Sequence, residues 1–217
     1  MLCLRPRNNF ILTTTIPTLL LRTFASPVEL RTPRVLLRQW KDSDLDKWLE
    51  MNADPEVRKY FPATTTPEQS HAEAARIRSS ITQRGWGLWA LEIPGVMAFA
   101  GFVGFNLPAY CAPWQPAVEI GWRLTPEAWH QGYATEAAAA SLQFAFDVLE
   151  LPQVIALSVT TNTPSHQVMT RLGMVRDINA DFIHPRVPED WPLKMHILHR
   201  ISRETWRNNP LAKSMRG

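Results

Sequence analysis

Residues 119–149 combine a possible acid–base group with a possible anion-binding loop. Glu119 interrupts an apolar strand pattern, and a short loop then leads to Gly132, where a long alanine-rich helix is predicted to begin. The first turn of a helix carries free main-chain N–H groups and a partial positive charge, so it binds phosphate groups well. Because Gly132 has no Cβ, a ligand can approach the main chain closely there. The stretch therefore predicts a diphosphate site directly after a strand.

The same stretch resembles the signature of the GNAT superfamily of acyl-CoA-dependent N-acetyltransferases. That signature is Gln or Arg, two residues, Gly, one residue, and then Gly or Ala. Gly132 and Ala134 fit it, whereas Trp129 occupies the position of the Gln or Arg. The resemblance covers residues 35–201 and is greatest to the branch related to the ribosomal-protein N-terminal acetyltransferases. The form typical of that branch is Trp-x-x-Gly-Tyr-Ala-x-Glu-Ala, which is matched by Trp129, Gly132, Tyr133, Ala134, Glu136 and Ala137.

The resemblance implies the GNAT fold, which is a mixed α/β (α+β) architecture. Its sheet is mostly antiparallel and has six or seven strands, with four helices around it. The two central strands are parallel and splay apart, and the pantetheine arm of the coenzyme lies between them. Carried over to this chain, the main chain near Trp122 and Leu124 is expected to hold the pantetheine and to polarise the thioester carbonyl.

The resemblance also implies the substrates. Acetyl-CoA is expected as the co-substrate, without a metal, and a primary amine on a small molecule or a protein N-terminus as the acceptor. Acceptor specificity is expected from residues 60–66, 108–116 and 177–193, which carry no recognisable signature. The main-chain N–H groups expected to hold the diphosphate, with Gln131 close by, are those of Gly132, Tyr133, Ala134 and Thr135.

Glu119 is the candidate general base. Its side chain faces opposite Val118 and Ile120, toward the side on which the family binds substrate. Burial there would raise its pKa toward the range that suits a base at neutral pH. The alternative is a structural ion pair with an arginine on a neighbouring strand or helix. Arg123 shares the face but is about 13 Å away along the strand, so it is not the direct partner.

A second candidate motif, Asn162-x-x-Ser165, follows the other splayed strand. In the family the Asn amide can bond to the coenzyme arm, and Ser165 lies where a proton could return to the departing thiolate. The alternative is ordinary helix capping, with Pro164 at the first helical position. Many relatives carry a tyrosine acid in this helix, but here Met169 takes that place. The general acid is then Ser165 or water, or the reaction needs none, since a thiol with a pKa of about 8.5 can leave as a thiolate.

Two other functions stay open at this point. One is a catalytically inactive acyl-CoA-binding protein of the same fold, and the other is a ribosome-associated or nucleic-acid-associated binding module. The formal charge is +3 over 217 residues. Residues 1–27 and 203–217 each carry +3, so the segment between them carries −3. The folded part is therefore mildly acidic, which argues against a basic groove for nucleic acid.

The hydrophobic periodicity predicts the elements that must position these groups. Four helices are predicted, at residues 42–52, 67–84, 132–149 and 166–172. Strands are predicted at residues 35–40, 86–93, 97–107, 118–124, 154–159 and 194–201, with a short additional strand near 174–176. Gly101 and Gly104 would weaken their strand unless another group must come close there.

The pattern divides the chain into one domain and two extensions. Residues 28–202 are predicted to form the N-acetyltransferase domain, and residues 203–217 a basic tail without structure. Residues 1–27 are interpreted as a disordered or targeting-like extension. A cytoplasmic monomer or homodimer without a membrane partner is expected, or a mitochondrial protein if that extension is a transit peptide. The spacing of His184, His196 and His199 fits no compact metal site.

Overall fold

The computed structural model describes residues 21–112 and 114–215. Within them the strands are β1 (Leu30–Arg31), β2 (Leu36–Arg38), β3 (Leu88–Glu92), β4 (Gly101–Asn106), β5 (Glu119–Leu124), β6 (Gln153–Val159), β7 (Val175–Ile183) and β8 (Met195–Ser202). The helices are α1 (Leu45–Ala53), α2 (Pro55–Arg58), α3 (Pro67–Arg84), α4 (Tyr133–Asp147), α5 (Thr163–Arg171), α6 (Arg203–Asn208) and α7 (Pro210–Ser214). Short 3₁₀ turns lie at Asp42–Asp44 and Pro126–Ala128.

All of these strands belong to one sheet, in the order β1-β2-β3-β4-β5-β6-β8-β7. Neighbouring strands run antiparallel except β5 and β6, which are parallel. The predicted mixed fold is confirmed, although the described part has eight strands rather than six or seven. The two-residue strand β1 accounts for the difference, since so short a strand has no periodic signal.

The parallel pair β5 and β6 is joined by α4, as a crossover between parallel strands requires. The alanines Ala137, Ala138 and Ala139 are fully buried, and their small side chains let the helix lie close to the sheet. The register between β5 and β6 contains one residue pair, Glu119 with Ile155, whereas β4 and β5 pair along six residues. The two central strands therefore separate after their first contact, as predicted.

Gly101 and Gly104 are required by close main-chain contacts. A Cβ at Gly101 would lie 2.1 Å from the carbonyl oxygen of Arg123, and one at Gly104 would lie 2.1 Å from that of Gly87. Both glycines also adopt positive φ angles, of 117° and 144°. A side chain at either position would push β4 away from its neighbours, so the predicted close approach is confirmed.

The domain boundaries differ from the prediction at both ends. Among residues 21–27, Phe24 packs against Phe144 and the Arg22 carbonyl accepts a hydrogen bond from Trp86 Nε1 at 2.8 Å. The remainder of the predicted extension, residues 1–20, lies outside the described residues. Among residues 21–112 and 114–215, no helix combines the length and the apolarity needed to cross a membrane.

The predicted unstructured tail is wrong for residues 203–215, where the chain forms α6 and α7. Trp206 is fully buried, and its Nε1 donates to Gln143 Oε1 of α4 at 3.0 Å. Ser202 caps α6 by accepting from Thr205 N at 3.0 Å. Burial of one large aromatic side chain therefore fixes a segment whose composition is mainly polar and basic.

Candidate active site

The main chain of β5 offers unpaired hydrogen-bonding groups to the gap beside β6. Thr125 N donates to the carbonyl oxygen of Ala100, the residue just before β4, and Ile155 N donates to Val118 O beside the residue pair that joins β5 and β6. Main-chain groups alternate between the two edges of a strand. Those of Ile120, Trp122 and Leu124 therefore point toward β6, and the register between the two strands ends before Trp122.

The predicted pantetheine position, near Trp122 and Leu124, lies at this gap and stays a prediction. The carbonyl of Leu124 accepts a hydrogen bond from Trp129 Nε1 at 2.9 Å, so only its N–H is left toward the gap. Trp122 turns both of its main-chain groups toward the same gap. The indole of Trp129, which departs from the family signature, thus fixes the loop that follows β5.

The loop before α4 leaves the first helical N–H groups open. Gly132 has a φ of 82° and directly precedes α4, whose first hydrogen bond runs from Glu136 N to Gly132 O at 3.0 Å. The N–H groups of Tyr133, Ala134 and Thr135 precede that bond and have no helical acceptor. A Cβ at Gly132 would meet only Arg34 Nη2, at 3.4 Å. The neighbour of Gly132 on this side is therefore the end of a flexible side chain and not main chain.

Arg34 and Glu136 form a contact at this loop that the sequence analysis missed. Arg34 donates from Nε to Glu136 at 2.6 Å and from Nη1 to Gln131 O at 3.0 Å, and its guanidinium lies 5.0 Å from the Tyr133 ring centre. Glu136 also accepts from Thr32 Oγ1 at 2.5 Å. The carboxylate in the first helical turn is thereby neutralised, which removes a charge that would repel a phosphate. A guanidinium from outside the signature therefore contacts this loop, in which Trp129 replaces the usual Gln or Arg.

A cavity of about 310 Å³ lies between the splayed strands. It brings together four of the predicted site residues, Glu119, Trp122, Asn162 and Ser165. The other predicted residues, Leu124 and residues 131–135, lie further along the same strand, loop and helix start. Residues of two of the predicted specificity segments also line the cavity: Tyr60, Phe61 and Pro62 from the first, and His184, Val187 and Trp191 from the third. Part of that third segment is strand β7 and not a loop.

Glu119 lies at the start of β5 and lines this cavity. Burial raises its pKa to about 7, and a hydrogen bond from Asn106 Nδ2 at 3.4 Å acts weakly in the opposite direction. Within the described part of the chain no arginine lies within ion-pair distance of it, so the alternative of a structural ion pair is not observed. A carboxyl group with this pKa exchanges a proton readily at neutral pH.

Tyr110 lies close enough to Glu119 to respond to its charge. Burial, and then the negative charge of Glu119, raise the pKa of Tyr110, while Arg186 lowers it. The Tyr110 hydroxyl is buried and has no hydrogen-bond partner among the described residues. Its ring contacts those of Trp114, Phe182 and His184, and of these residues His184 lines the cavity. Tyr110 is not among the predicted site residues because it lies in a loop without a motif.

Asn162 and Ser165 are joined by a helix cap. Asn162 Oδ1 accepts from Ser165 N at 3.2 Å at the start of α5, so the capping interpretation is correct. Pro164 lies at the second helical position and not at the first, because α5 begins at Thr163. Both capping residues line the cavity, and the buried Met169 lies beneath them on the same helix.

Four of the six histidines form two separate pairs. The rings of His184 and His196 lie 4.7 Å apart near the cavity, and those of His166 and His199 lie 5.7 Å apart. Burial, and then the neighbouring charges, lower the pKa of His184 to about 4, so it is neutral at physiological pH. No cluster of three or more potential metal ligands is found among the described residues.

Comparison with known proteins agrees with this geometry. The family model of the acetyltransferase (GNAT) domain matches residues 34–175. Among curated proteins, the chain is 27% identical over 179 residues to the uncharacterized N-acetyltransferase YnaD of Bacillus subtilis, covering 82% of this chain and 99% of the relative. It is also 27% identical over 175 residues to the FsC-acetyl coenzyme A-N(2)-transacetylase of Aspergillus fumigatus, covering 73% and 69%.

A solved structure shows the same architecture. The GNAT-family acetyltransferase from Bacillus anthracis has a TM-score of 0.67 and 26% identity, covering 82% of this chain and 99% of that one. The resemblance found in the sequence is therefore confirmed at the level of the superfamily, and the narrower ribosomal-protein branch stays a prediction. Because the matched region includes both the splayed strands and the loop before α4, this chain belongs to the GNAT family of acetyltransferases.

Proposed function

We propose that the protein transfers an acetyl group from acetyl-CoA to a primary amine by direct attack in a ternary complex. The observation that carries the proposal is the position of Glu119. Its carboxyl group has a pKa of about 7 and lines the cavity at the gap where β5 offers unpaired main-chain groups. The name of the Aspergillus relative, which specifies acetyl coenzyme A and a nitrogen acceptor, supports the same reading.

Main-chain groups of the described residues support the proposed coenzyme site. The N–H groups of Gly132, Tyr133, Ala134 and Thr135 would hold the diphosphate at the N-terminus of α4, next to the guanidinium of Arg34. The main chain of Trp122 and the N–H of Leu124 would bind the pantetheine as an added strand binds to an open sheet edge. Bound acetyl-CoA supplies the acetyl group as an activated thioester.

Glu119 is proposed to accept the proton of the attacking amine. An α-amine with a pKa of about 8 is partly unprotonated at neutral pH, whereas a lysine side chain at about 10.4 is not. As the new C–N bond forms and the C–S bond breaks, the ammonium proton moves to Glu119. A main-chain N–H of β5 stabilises the developing oxyanion, because a fixed donor in a site without competing water is effective there.

Ser165 is the proposed source of the proton for the departing thiolate. It lies on the cavity wall, where its backbone is held by the cap to Asn162. The requirement for an acid is small because a thiol has a pKa of about 8.5. Met169 occupies the helix position at which many relatives carry a tyrosine and has no proton to give, so Ser165 or water serves.

The test is a free-thiol assay with acetyl-CoA and a panel of amino-terminal peptides, polyamines and aminoglycosides. We expect release of CoA thiol that depends on the amine, together with an acetylated amine in the mass spectrum. Calorimetry of acetyl-CoA binding should be run in parallel. Binding of acetyl-CoA without amine-dependent thiol release across the panel would identify an inactive acyl-CoA-binding protein instead.

A further inference from the structure

A second charged side chain faces the cavity of the proposed active site. Arg123 lies four residues after Glu119 on β5, so both side chains leave the strand on the same face. The Arg123 side chain is only 10% exposed, and it lines the cavity. A buried guanidinium is costly unless its donors are satisfied, so its partners indicate what it does.

The partners of Arg123 hold it in place but do not satisfy it. Nη1 donates to Asn52 Oδ1 at 2.8 Å, and the Glu73 carboxylate is 3.8 Å from the same atom, near the limit for an ion pair. Nε is buried and has no hydrogen-bond partner among the described residues. The guanidinium carbon lies between aromatic rings whose centres are 4.6 to 5.5 Å away, those of Trp48, Phe61 and Phe102.

This surrounding keeps the guanidinium charged and oriented. Burial lowers the pKa of Arg123 to about 10, Glu73 raises it and Arg58 lowers it further. The group therefore stays protonated at neutral pH. Rings packed on its faces restrict rotation and leave the planar edge for hydrogen bonds, which suits recognition of a carboxylate or phosphate.

The charge around Arg123 is also unbalanced. Arg76 lines the same cavity, and Arg58 lies near enough to act on Arg123 electrostatically. Within the described part of the chain, Glu73 is the one carboxylate that contacts Arg123, and its side chain is 25% exposed. The end of the cavity beside α3 is thus positively charged, whereas the acidic Glu119 lies at the other end of the strand.

We propose that Arg123 anchors an acceptor subsite for an anionic group, so that the preferred acceptor is an amine whose far end carries a carboxylate or phosphate. The inference rests on the proposed function, since it assigns the amine end to Glu119. The Cα atoms of Glu119 and Arg123 are four extended residues apart, which is a distance of about 13 Å. An α-amino acid, whose two charged groups are attached to one carbon, is too short to reach both residues, whereas a longer ω-amino acid is not.

The test compares ω-amino acids of increasing chain length with alkylamines of matched length, in the presence of saturating acetyl-CoA. Aminoalkyl phosphates form a second arm, which separates a carboxylate site from a phosphate site. The readout is the ratio of kcat/KM for the acid to kcat/KM for the matched alkylamine. We expect a ratio of about ten or more, since a hydrogen bond to a charged group typically contributes that much.

Three variants assign the effect to Arg123. Arg123→Met should reduce the ratio to about one, because the aliphatic stem remains and the cation is lost. Glu73→Gln should raise the ratio, because it removes the carboxylate that competes with the ligand for the guanidinium. Arg76→Gln is the matched control, an arginine of the same cavity, and it should reduce the ratio less than Arg123→Met does.

The outcomes separate this inference from the proposed function. A wild-type ratio of about one, or a ratio unaffected by both Arg123→Met and Glu73→Gln, overturns the subsite while acetylation itself stands. If Arg123→Met does not fold, as judged by thermal unfolding and acetyl-CoA affinity, the rise expected for Glu73→Gln decides alone. If no amine is acetylated, the proposed function fails. Calorimetry of the ω-amino acids binding to the CoA-saturated protein then decides on the subsite.

Discussion

Replacement of Glu119 by Gln should stabilise the protein at alkaline pH and impair it as an enzyme. Burial raises the pKa of Glu119 from its ordinary 4.5 to about 7. Between these values the folded state binds a proton that the unfolded state does not, so the free energy of unfolding falls as pH rises through this window. Above it the folded protein holds a buried ionised carboxylate. Gln keeps the size of the side chain and an acceptor for Asn106 but stays neutral.

The size of the effect follows from the pKa shift. One pH unit corresponds to about 1.4 kcal/mol, so the variant should exceed the parent in free energy of unfolding by up to about 3 kcal/mol above pH 7. Well below pH 4.5 the Glu119 carboxyl group of the parent is protonated in both the folded and the unfolded state, so the parent and the variant should be equally stable. At neutral pH turnover should fall by about 100-fold or more, the usual contribution of a general base. The inflection near pH 7 in the rate profile of the parent should disappear.

Urea unfolding on both sides of the pH window and initial rates over the same range test both effects. Glu127→Gln is the control, because the pKa of Glu127 is shifted in the opposite direction to that of Glu119. A main-chain hydrogen bond, and then Lys47, lower the pKa of Glu127. That variant should gain no stability at alkaline pH. If the Glu119→Gln protein has the pH–rate profile of the parent, Glu119 is not the general base. Equal stability of variant and parent above pH 7 would refute the buried carboxylate itself.

Three further substitutions, one of them with a matched control, test the coenzyme loop, the sheet and a buried ion pair. Gly132→Val should lower acetyl-CoA affinity in calorimetry by blocking the loop. Gly95→Val, at a similarly positive φ with nothing within 4 Å, should cost stability and leave that affinity unchanged. Gly101→Ala should lower the free energy of unfolding by about 2 kcal/mol or more, since its Cβ would meet a β5 carbonyl, and an unchanged urea midpoint would contradict the contact. Asp44→Ala should cost about 3 kcal/mol in the same assay by leaving Arg38 buried without its bidentate partner, and a loss below about 1 kcal/mol would show that the remaining partners of Arg38 suffice.

The features predicted correctly from the sequence depend on local rules. The end of α3 at Gly85, with a φ of 81°, follows from the preference of glycine for the left-handed conformation. The close contacts at Gly101 and Gly104 follow from glycines placed inside an apolar strand pattern. The splayed strands follow from the likeness to a known family, which local rules alone do not supply.

The features that were missed depend on distant partners. Arg34 and Glu136 are 102 positions apart, and the sequence around either residue contains no pattern that predicts their contact. Strand β7 was predicted only at its first residues, because Val175, Ile178 and Ile183 are exposed and its pattern does not alternate toward a core. The helix α6 depends on the bond from Trp206 to Gln143, a contact that a short basic segment does not reveal.

The single residue pair between β5 and β6 also affects how firmly the two parts of the sheet are connected. Among the described residues, five strands lie on one side of this pair and three on the other, and β5 and β6 are not paired beyond Glu119 and Ile155. A coenzyme arm lying between β5 and β6 would supply main-chain hydrogen bonds there and connect the two parts of the sheet. In that case the coenzyme would act as an additional strand of the sheet. The sheet would lose that strand each time the coenzyme leaves after turnover.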